Sequence, residues 1–276
     1  LDEVNKKIFN RIDNMYSFLN MYALDDKGQV LDRVSNAYSA EQVDAMLAGL
    51  KHPLDLWVLA RLNQTIELVT TNLEAYFLDK ATRPIGDLID DVSTWYLRRS
   101  RDRFKVDSRA ADPASAIADR DDAIFTLRYV LERLSRIMAP VTPFMAEHLY
   151  KKVRFGDIES VHLENWPAIP AIDASIIESM AKVRALVEIG LAKRAEAKIK
   201  VRQPLQSFTH SSTELTPELE EIIKDELNVK EIKKAIKRIE GDDASADAST
   251  ESLDTEITPA LRKEGAVRDL IRAIQQ

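Results

Sequence analysis

Residues 95–105 read Trp-Tyr-Leu-Arg-Arg-Ser-Arg-Asp-Arg-Phe-Lys, setting five cations (Arg98, Arg99, Arg101, Arg103 and Lys105) against one anion. Guanidinium forks beside aromatic rings can hold phosphates and stack on unpaired bases. On a helix Trp95, Arg99 and Arg103 fall within a narrow arc, and Arg98 and Asp102 can pair. Trp95 and Tyr96 are expected to fix this helix in a core. A competing reading spends the arginines on acidic neighbours such as Asp87, Asp90 and Asp91. A second basic stretch, residues 182–202, sets Lys182, Arg184, Lys193, Arg194, Lys198, Lys200 and Arg202 against Glu188 and Glu196. Cations near a helix C-terminus also answer the helix dipole, so this stretch has a bland explanation as well.

Other chemistry is poorly represented. His52, His148, His162 and His210 are scattered, in no metal-ligand spacing. Without cysteine there is no disulfide, thiolate metal site or cysteine nucleophile. Phosphate-binding glycine loops and a nucleophile elbow are missing too. The carboxylate pairs Asp90-Asp91 and Asp121-Asp122 point about 100° apart on a helix and read as solvated surface. No catalytic residue and no metal ligand is assigned.

The elements that must carry the basic stretches are mostly helical. Leu1, Val4, Ile8, Ile12, Met15, Leu19 and Tyr22 step by three and four, one stripe of an amphipathic helix. The chain opens on Leu inside that stripe, which reads as a piece of something longer. Asp25-Asp26-Lys27-Gly28 reads as a turn, and a short helix is expected around 41–50. A long helix opens at Pro53 and Asp55, with Leu59, Leu62, Ile66, Val69, Leu73 and Tyr76 as its stripe. The next runs from about 79 to 105, with Ile85, Leu88, Val92 and Trp95 inward. Another, about 118–138, buries Ala123, Leu127, Val130, Leu134 and Ile137. Thr142-Pro143 opens a helix to about Val153. Ser175 and Glu178 form a capping box for a long helix to about Ile199.

After Pro204 the pattern changes. Leu205–His210 and Leu253–Ile257 fit strands, and residues 229–239 fit either a strand or a helix. Thr216-Pro217 and Thr258-Pro259 open two more helices, the second still running at Gln276. Residues 241–252, rich in Asp, Ala and Ser, read as a mobile acidic loop. The expected fold is mainly α: a helical bundle over 1–172, then a long helix and a small α+β module over 173–276.

The 276 residues carry a net charge of −7, which by itself argues against a nucleic-acid partner. That total is an average over blocks, since residues 214–226 hold six acids and 240–256 hold seven. The seven glycines suit a helix bundle better than a loop-rich sheet fold. No apolar run reaches the roughly 18 residues that would span a membrane.

Seven segments carry a resemblance. Asp55-Leu-Trp-Val-Leu-Ala-Arg-Leu-Asn63 resembles the helix that opens the anticodon-binding domain of class I aminoacyl-tRNA synthetases. Asp91-Val-Ser-Thr-Trp-Tyr-Leu-Arg-Arg-Ser-Arg-Asp-Arg-Phe104 is similar to the isoleucyl-tRNA synthetase version. So are Ala139-Pro-Val-Thr-Pro-Phe-Met-Ala-Glu147, Val161-His-Leu-Glu-Asn-Trp-Pro167 and Lys200-Val-Arg-Gln-Pro-Leu205. Glu226-Leu-Asn-Val-Lys-Glu231 and Leu253-Asp-Thr-Glu-Ile-Thr-Pro259 complete the order. The resemblance implies a C-terminal fragment of a cytoplasmic isoleucine–tRNA ligase: an anticodon-binding bundle and a junction module. Its implied partners are the anticodon stem-loop of tRNA(Ile) and the catalytic and editing domains of the same full-length chain. The parent uses ATP and Mg2+; the signatures H-x-G-H and K-M-S-K-S are missing here, so the fragment itself is expected to use neither. Family position then favours Arg98, Arg99, Arg101, Arg103 and Lys105 for RNA contact, followed by Lys193, Arg194, Lys198, Lys200 and Arg202. The alternatives are a valyl or leucyl relative, or a helical scaffold that binds protein.

Overall fold

In the computed structural model, residues 2–23, 31, 38–105, 112–169, 171–212, 214–235 and 251–275 are described. They fall into two units, 1–176 and 177–276. The expected turn at 25–28 and the acidic segment 241–250 lie outside the described residues.

The first unit is a helix bundle. Helix α1 (Asp2–Val4) runs through a π-helical turn (Asn5–Phe9) into α2 (Asn10–Met21), which buries Ile12, Met15 and Leu19 as its stripe requires. Helix α3 (Ala40–Gly49) starts at a capping box. Ser39 Oγ accepts the Gln42 N–H at 3.3 Å, and Gln42 Oε1 accepts the Ser39 N–H at 2.8 Å. Helix α4 (Pro53–Glu74) places Pro53 at its start and buries Trp57, Val58, Leu62, Ile66 and Val69. Its stripe stops short of Tyr76, which lies outside the helix with a φ of 60° and is 88% exposed.

Helix α5 (Leu78–Asp90), a π-helical segment (Asp91–Tyr96) and α6 (Leu97–Ser100) make one rod, antiparallel to α4. Ile85, Leu88, Val92 and Trp95 face inward as the spacing requires. The rod ends at Ser100, where tight turns replace the expected helix to Lys105. Helix α7 (Pro113–Met138) is the central element: Ala123, Leu127, Val130, Leu134 and Ile137 have no exposed surface. Helix α8 (Pro143–Val153) follows the Pro140–Thr142 corner.

Helix α9 (Ala174–Glu196) begins one residue before the expected capping box. Asp173, rather than Ser175, is the cap: its Oδ1 accepts the N–H groups of Ser175 and Ile176 and the Ser175 hydroxyl. The second unit takes in most of α9 and a three-stranded sheet. Strand β1 (Leu205–His210) is central. It runs parallel to β2 (Val229–Lys234), with Leu205 opposite Val229, and antiparallel to β3 (Ser252–Leu253), with Phe208 opposite Leu253. Residues 229–234 are thus strand, because pairing with β1 outweighs their helical spacing, and β3 is shorter than expected. Helix α10 (Pro217–Leu227) links β1 to β2 and buries Leu219, Ile222, Ile223 and Leu227. Helix α11 (Pro259–Gln275) is the last described element.

Candidate nucleic-acid interface

The first basic stretch divides by direction. Trp95 and Tyr96 are buried, Arg99 is half-buried, and Phe104 is 1% exposed against Phe18, at 4.8 Å between ring centroids. Arg98, Arg101 and Lys105 are exposed on the other side. The narrow arc of Trp95, Arg99 and Arg103 therefore faces the bundle.

Arg103 is taken up inside. Its Nη1 and Nη2 donate to the two oxygens of Asp55 at 2.9 and 2.7 Å, while Nε and Nη2 donate to Asp119. Asp55 has no exposed surface and also accepts the Tyr96 hydroxyl at 2.7 Å. Burial alone would depress the Arg103 guanidinium, but hydrogen bonds to the two carboxylates outweigh it and hold the pKa above the ordinary arginine range. The same burial, with Asp55 alongside, pushes the Tyr96 hydroxyl well up. Arg103 is thus turned inward and joins the end of α6 to the first turns of α4 and α7. Its partners are not the neighbours first considered, since Asp90 pairs with Arg11 and Asp91 with Arg61 at 2.9 Å. Asp91 is 7% exposed, so it too departs from the solvated surface expected of it.

The second stretch divides in the same way. Arg194 is 1% exposed, and its donors are spent on backbone carbonyls. Nε and Nη2 reach Leu227 O at 2.9 and 2.6 Å, and Nη1 reaches Lys200 O and Gln203 O at 3.2 and 3.0 Å. Burial pushes its pKa down to about 10. It answers the C-terminus of α10, where unpaired carbonyls favour a cation, and its guanidinium is not presented to solvent. Asn228, at a φ of 47° where α10 ends, holds the same turn from the other side through Val201 O and Arg202 O. With its carbonyls drawn inward, the turn leaves Lys198, Lys200 and Arg202 exposed along a cleft of about 250 Å³ also lined by Ile257, Gly265 and Asp269. Arg202 pairs with Asp269 at 3.3 Å. Lys193 is half-buried on α9, apart from the residues that line this cleft.

A polar cluster lies inside the bundle. Glu132 is fully buried and accepts Arg136 Nε at 2.6 Å, with Arg133 3.2 Å away, and Arg136 also pairs with Glu164 at 2.8 Å. Burial holds the Glu132 pKa above the usual carboxylate range despite the two arginines beside it. Among the described residues no three His, Asp or Glu gather as a metal site, and no helix is long and apolar enough to cross a membrane.

Residues 55–209 match the family described as the anticodon-binding domain of tRNA ligase. The match begins on the buried Asp55 and takes in both basic faces. The chain belongs to the anticodon-binding family of tRNA ligases. Within it, the chain is similar to the isoleucine–tRNA ligase of Thermobifida fusca, 36% identical over 83% of this chain and 21% of that protein. It is 33% identical to the Deinococcus radiodurans isoleucine–tRNA ligase over 87% of this chain and 21% of that protein. The Pyrococcus abyssi enzyme of the same name is 36% identical over 65% and 17%. The chain thus spans about a fifth of the length of these curated relatives.

In this anticodon-binding chain, six of the ten cations named from the sequence are exposed: Arg98, Arg101 and Lys105 around the end of α6, which Arg103 holds from inside, and Lys198, Lys200 and Arg202 around the turn held by Arg194. Lys105 lies 3.7 Å from Asp102.

Proposed function

We propose that this chain recognises the anticodon stem-loop of tRNA(Ile) as part of an isoleucine–tRNA ligase. The observation that carries the reading is the outward cation face of Arg98, Arg101 and Lys105, on a chain of the anticodon-binding family whose relatives bear that ligase name. With the turn clamped from inside, meeting phosphates orders the exposed side chains but not the backbone that carries them, which limits the entropic cost of binding. Phosphate contacts fix register and base contacts specify sequence. Grip on the anticodon arm would orient the acceptor end in the catalytic domain of the parent chain, so part of the binding energy is realised as positioning.

ATP and Mg2+ would serve that parent domain. The described residues offer them neither a carboxylate cluster nor a glycine-rich cradle, and no step of adenylate chemistry is assigned to this chain. The editing domain is a further partner within the parent, and the cytoplasm is the expected compartment.

The test is equilibrium binding of the chain to anticodon stem-loops of isoleucine, valine and leucine tRNAs across a salt series. Expected is preference for the isoleucine loop, with log affinity falling against log salt at a slope of about −2 to −3 for three neutralised phosphates. No binding to any loop at low salt sinks the RNA reading, and preference for another loop moves the specificity to that relative.

A further inference from the structure

Among the described residues, the exposed aromatic side chains are Tyr76, Phe77, Phe144 and Trp166, at 88, 50, 91 and 37% exposure. All four belong to one end of the bundle. Tyr76 and Phe77 follow the last residues of α4, and Phe144 lies just beyond the corner that ends α7. Trp166 donates its indole N–H to Thr70 Oγ1 near the end of α4 at 2.8 Å, and it lines a small cleft with Ala139 and Pro140. Arg103 ties the arginine face to the first turns of α4 and α7, at the other end. A helix of 22 residues rises about 33 Å, so the two surfaces lie roughly a helix length apart.

The Tyr76 corner is built at a cost. Tyr76 takes the left-handed position that ends α4, with a φ of 60°, a place normally given to glycine or asparagine. Its N–H bonds Leu73 O at 3.0 Å and the Phe77 N–H bonds Asn72 O at 2.8 Å, so the backbone is fixed and not frayed. A bulky side chain is strained here, yet its ring contributes almost nothing to the core. Lys80 places its ammonium 4.5 Å from the Phe77 ring centroid, and Arg83 one turn on is exposed, 4.0 Å from Asp79. Exposed rings on a fixed backbone, beside cations, are what unpaired bases stack on; an aliphatic protein contact would need neither the rings nor the cations.

The geometry points to the Tyr76–Phe77 corner as a stacking platform for unpaired RNA bases, at the opposite end of the bundle from the arginine face. This rests on the RNA reading above and assigns base contact to residues other than the basic stretches. The experiment measures binding of the chain to a tRNA(Ile) anticodon stem-loop carrying 2-aminopurine in its loop, and to the paired stem alone. Tyr76→Gly keeps the left-handed backbone and removes the ring. Its melting temperature should equal or exceed that of the unaltered chain, and its affinity for the loop should fall about 5- to 100-fold. Binding of the paired stem should not change, and the quenching of 2-aminopurine should be lost. Tyr76→Phe should retain both affinity and quenching. Loop affinity within twofold of the unaltered chain in Tyr76→Gly overturns the platform and leaves the rings to a protein partner. An unaltered chain that binds no loop at low salt overturns the platform and the RNA reading together.

Discussion

At the scale of single residues, Arg103 and Arg101 look alike in sequence and do opposite things. Arg101 is exposed and has no ion pair among the described residues, whereas Arg103 neutralises two carboxylates, one of them without exposed surface. Arg103→Met should therefore cost about 3–5 kcal/mol, because it leaves Asp55 as a buried charge without its partner. Arg101→Ala should leave the melting temperature within a degree or so and reduce the salt slope of RNA binding by about 1. Thermal melting beside a salt series separates the two. The sequence held the count of cations but could not allocate them, since Asp55 and Asp119 lie 48 and 16 residues from Arg103. His52 adds a titration to the same corner. Its Nδ1 caps α4 by accepting the Leu54 N–H at 3.2 Å, and burial, then the Arg103 charge, depress its pKa despite Asp55 and Asp119. A depressed histidine leaves the unfolded chain with more bound protons at acid pH. Stability from His52 is thus present above about pH 6.5 and lost as pH falls through the lower folded value. The melting temperature should drop between pH 7 and pH 5. His52→Asn, which keeps a cap acceptor without a proton to gain, should reduce that drop, and an unchanged drop would remove His52 from the account. Buried His210, shifted in the same direction, leaves a residual slope.

Among the elements, helix periodicity was readable wherever a stripe faces a core. The stripe of α7 is buried without exception, and β1 matches its expected bounds. What the spacing could not give was the depth of close approaches. Gly190 on α9 stands where a Cβ would meet Leu227 Cδ1 and Cδ2 of α10 at 2.5 and 2.6 Å. Gly190→Ala should cost about 1–3 kcal/mol through overpacking, read as a lower melting temperature of the second unit. Leu227→Ala in the same chain should recover part of it, since a smaller side chain makes room. Sequence alone also misplaced ends: Asp173 displaced Ser175 as cap, and the rod of α5 and α6 stopped at Ser100, because turn hydrogen bonds lie outside any stripe.

For the whole molecule, a charge of −7 coexists with two outward cation faces because acids and bases are held in separate blocks. Long-range repulsion of RNA is screened beyond about 8–10 Å at physiological salt, while contacts at the turns are not. At physiological salt, association should consequently follow the local cation faces rather than the net charge. The exposed aromatic rings escaped a sequence reading guided by charge, because nothing in the Tyr76-Phe77-Leu78 run distinguishes surface from core.

The sheet of the second unit has a consequence for the order of assembly. Strand β1 meets β2 across a single helix, but its other edge waits for Ser252–Leu253, more than forty residues along the chain. Closing the longer loop costs more entropy and returns only a two-residue strand. The β1–α10–β2 segment should form first and protect its amides most slowly exchanging of all in this sheet, with β3 docking last and opening first.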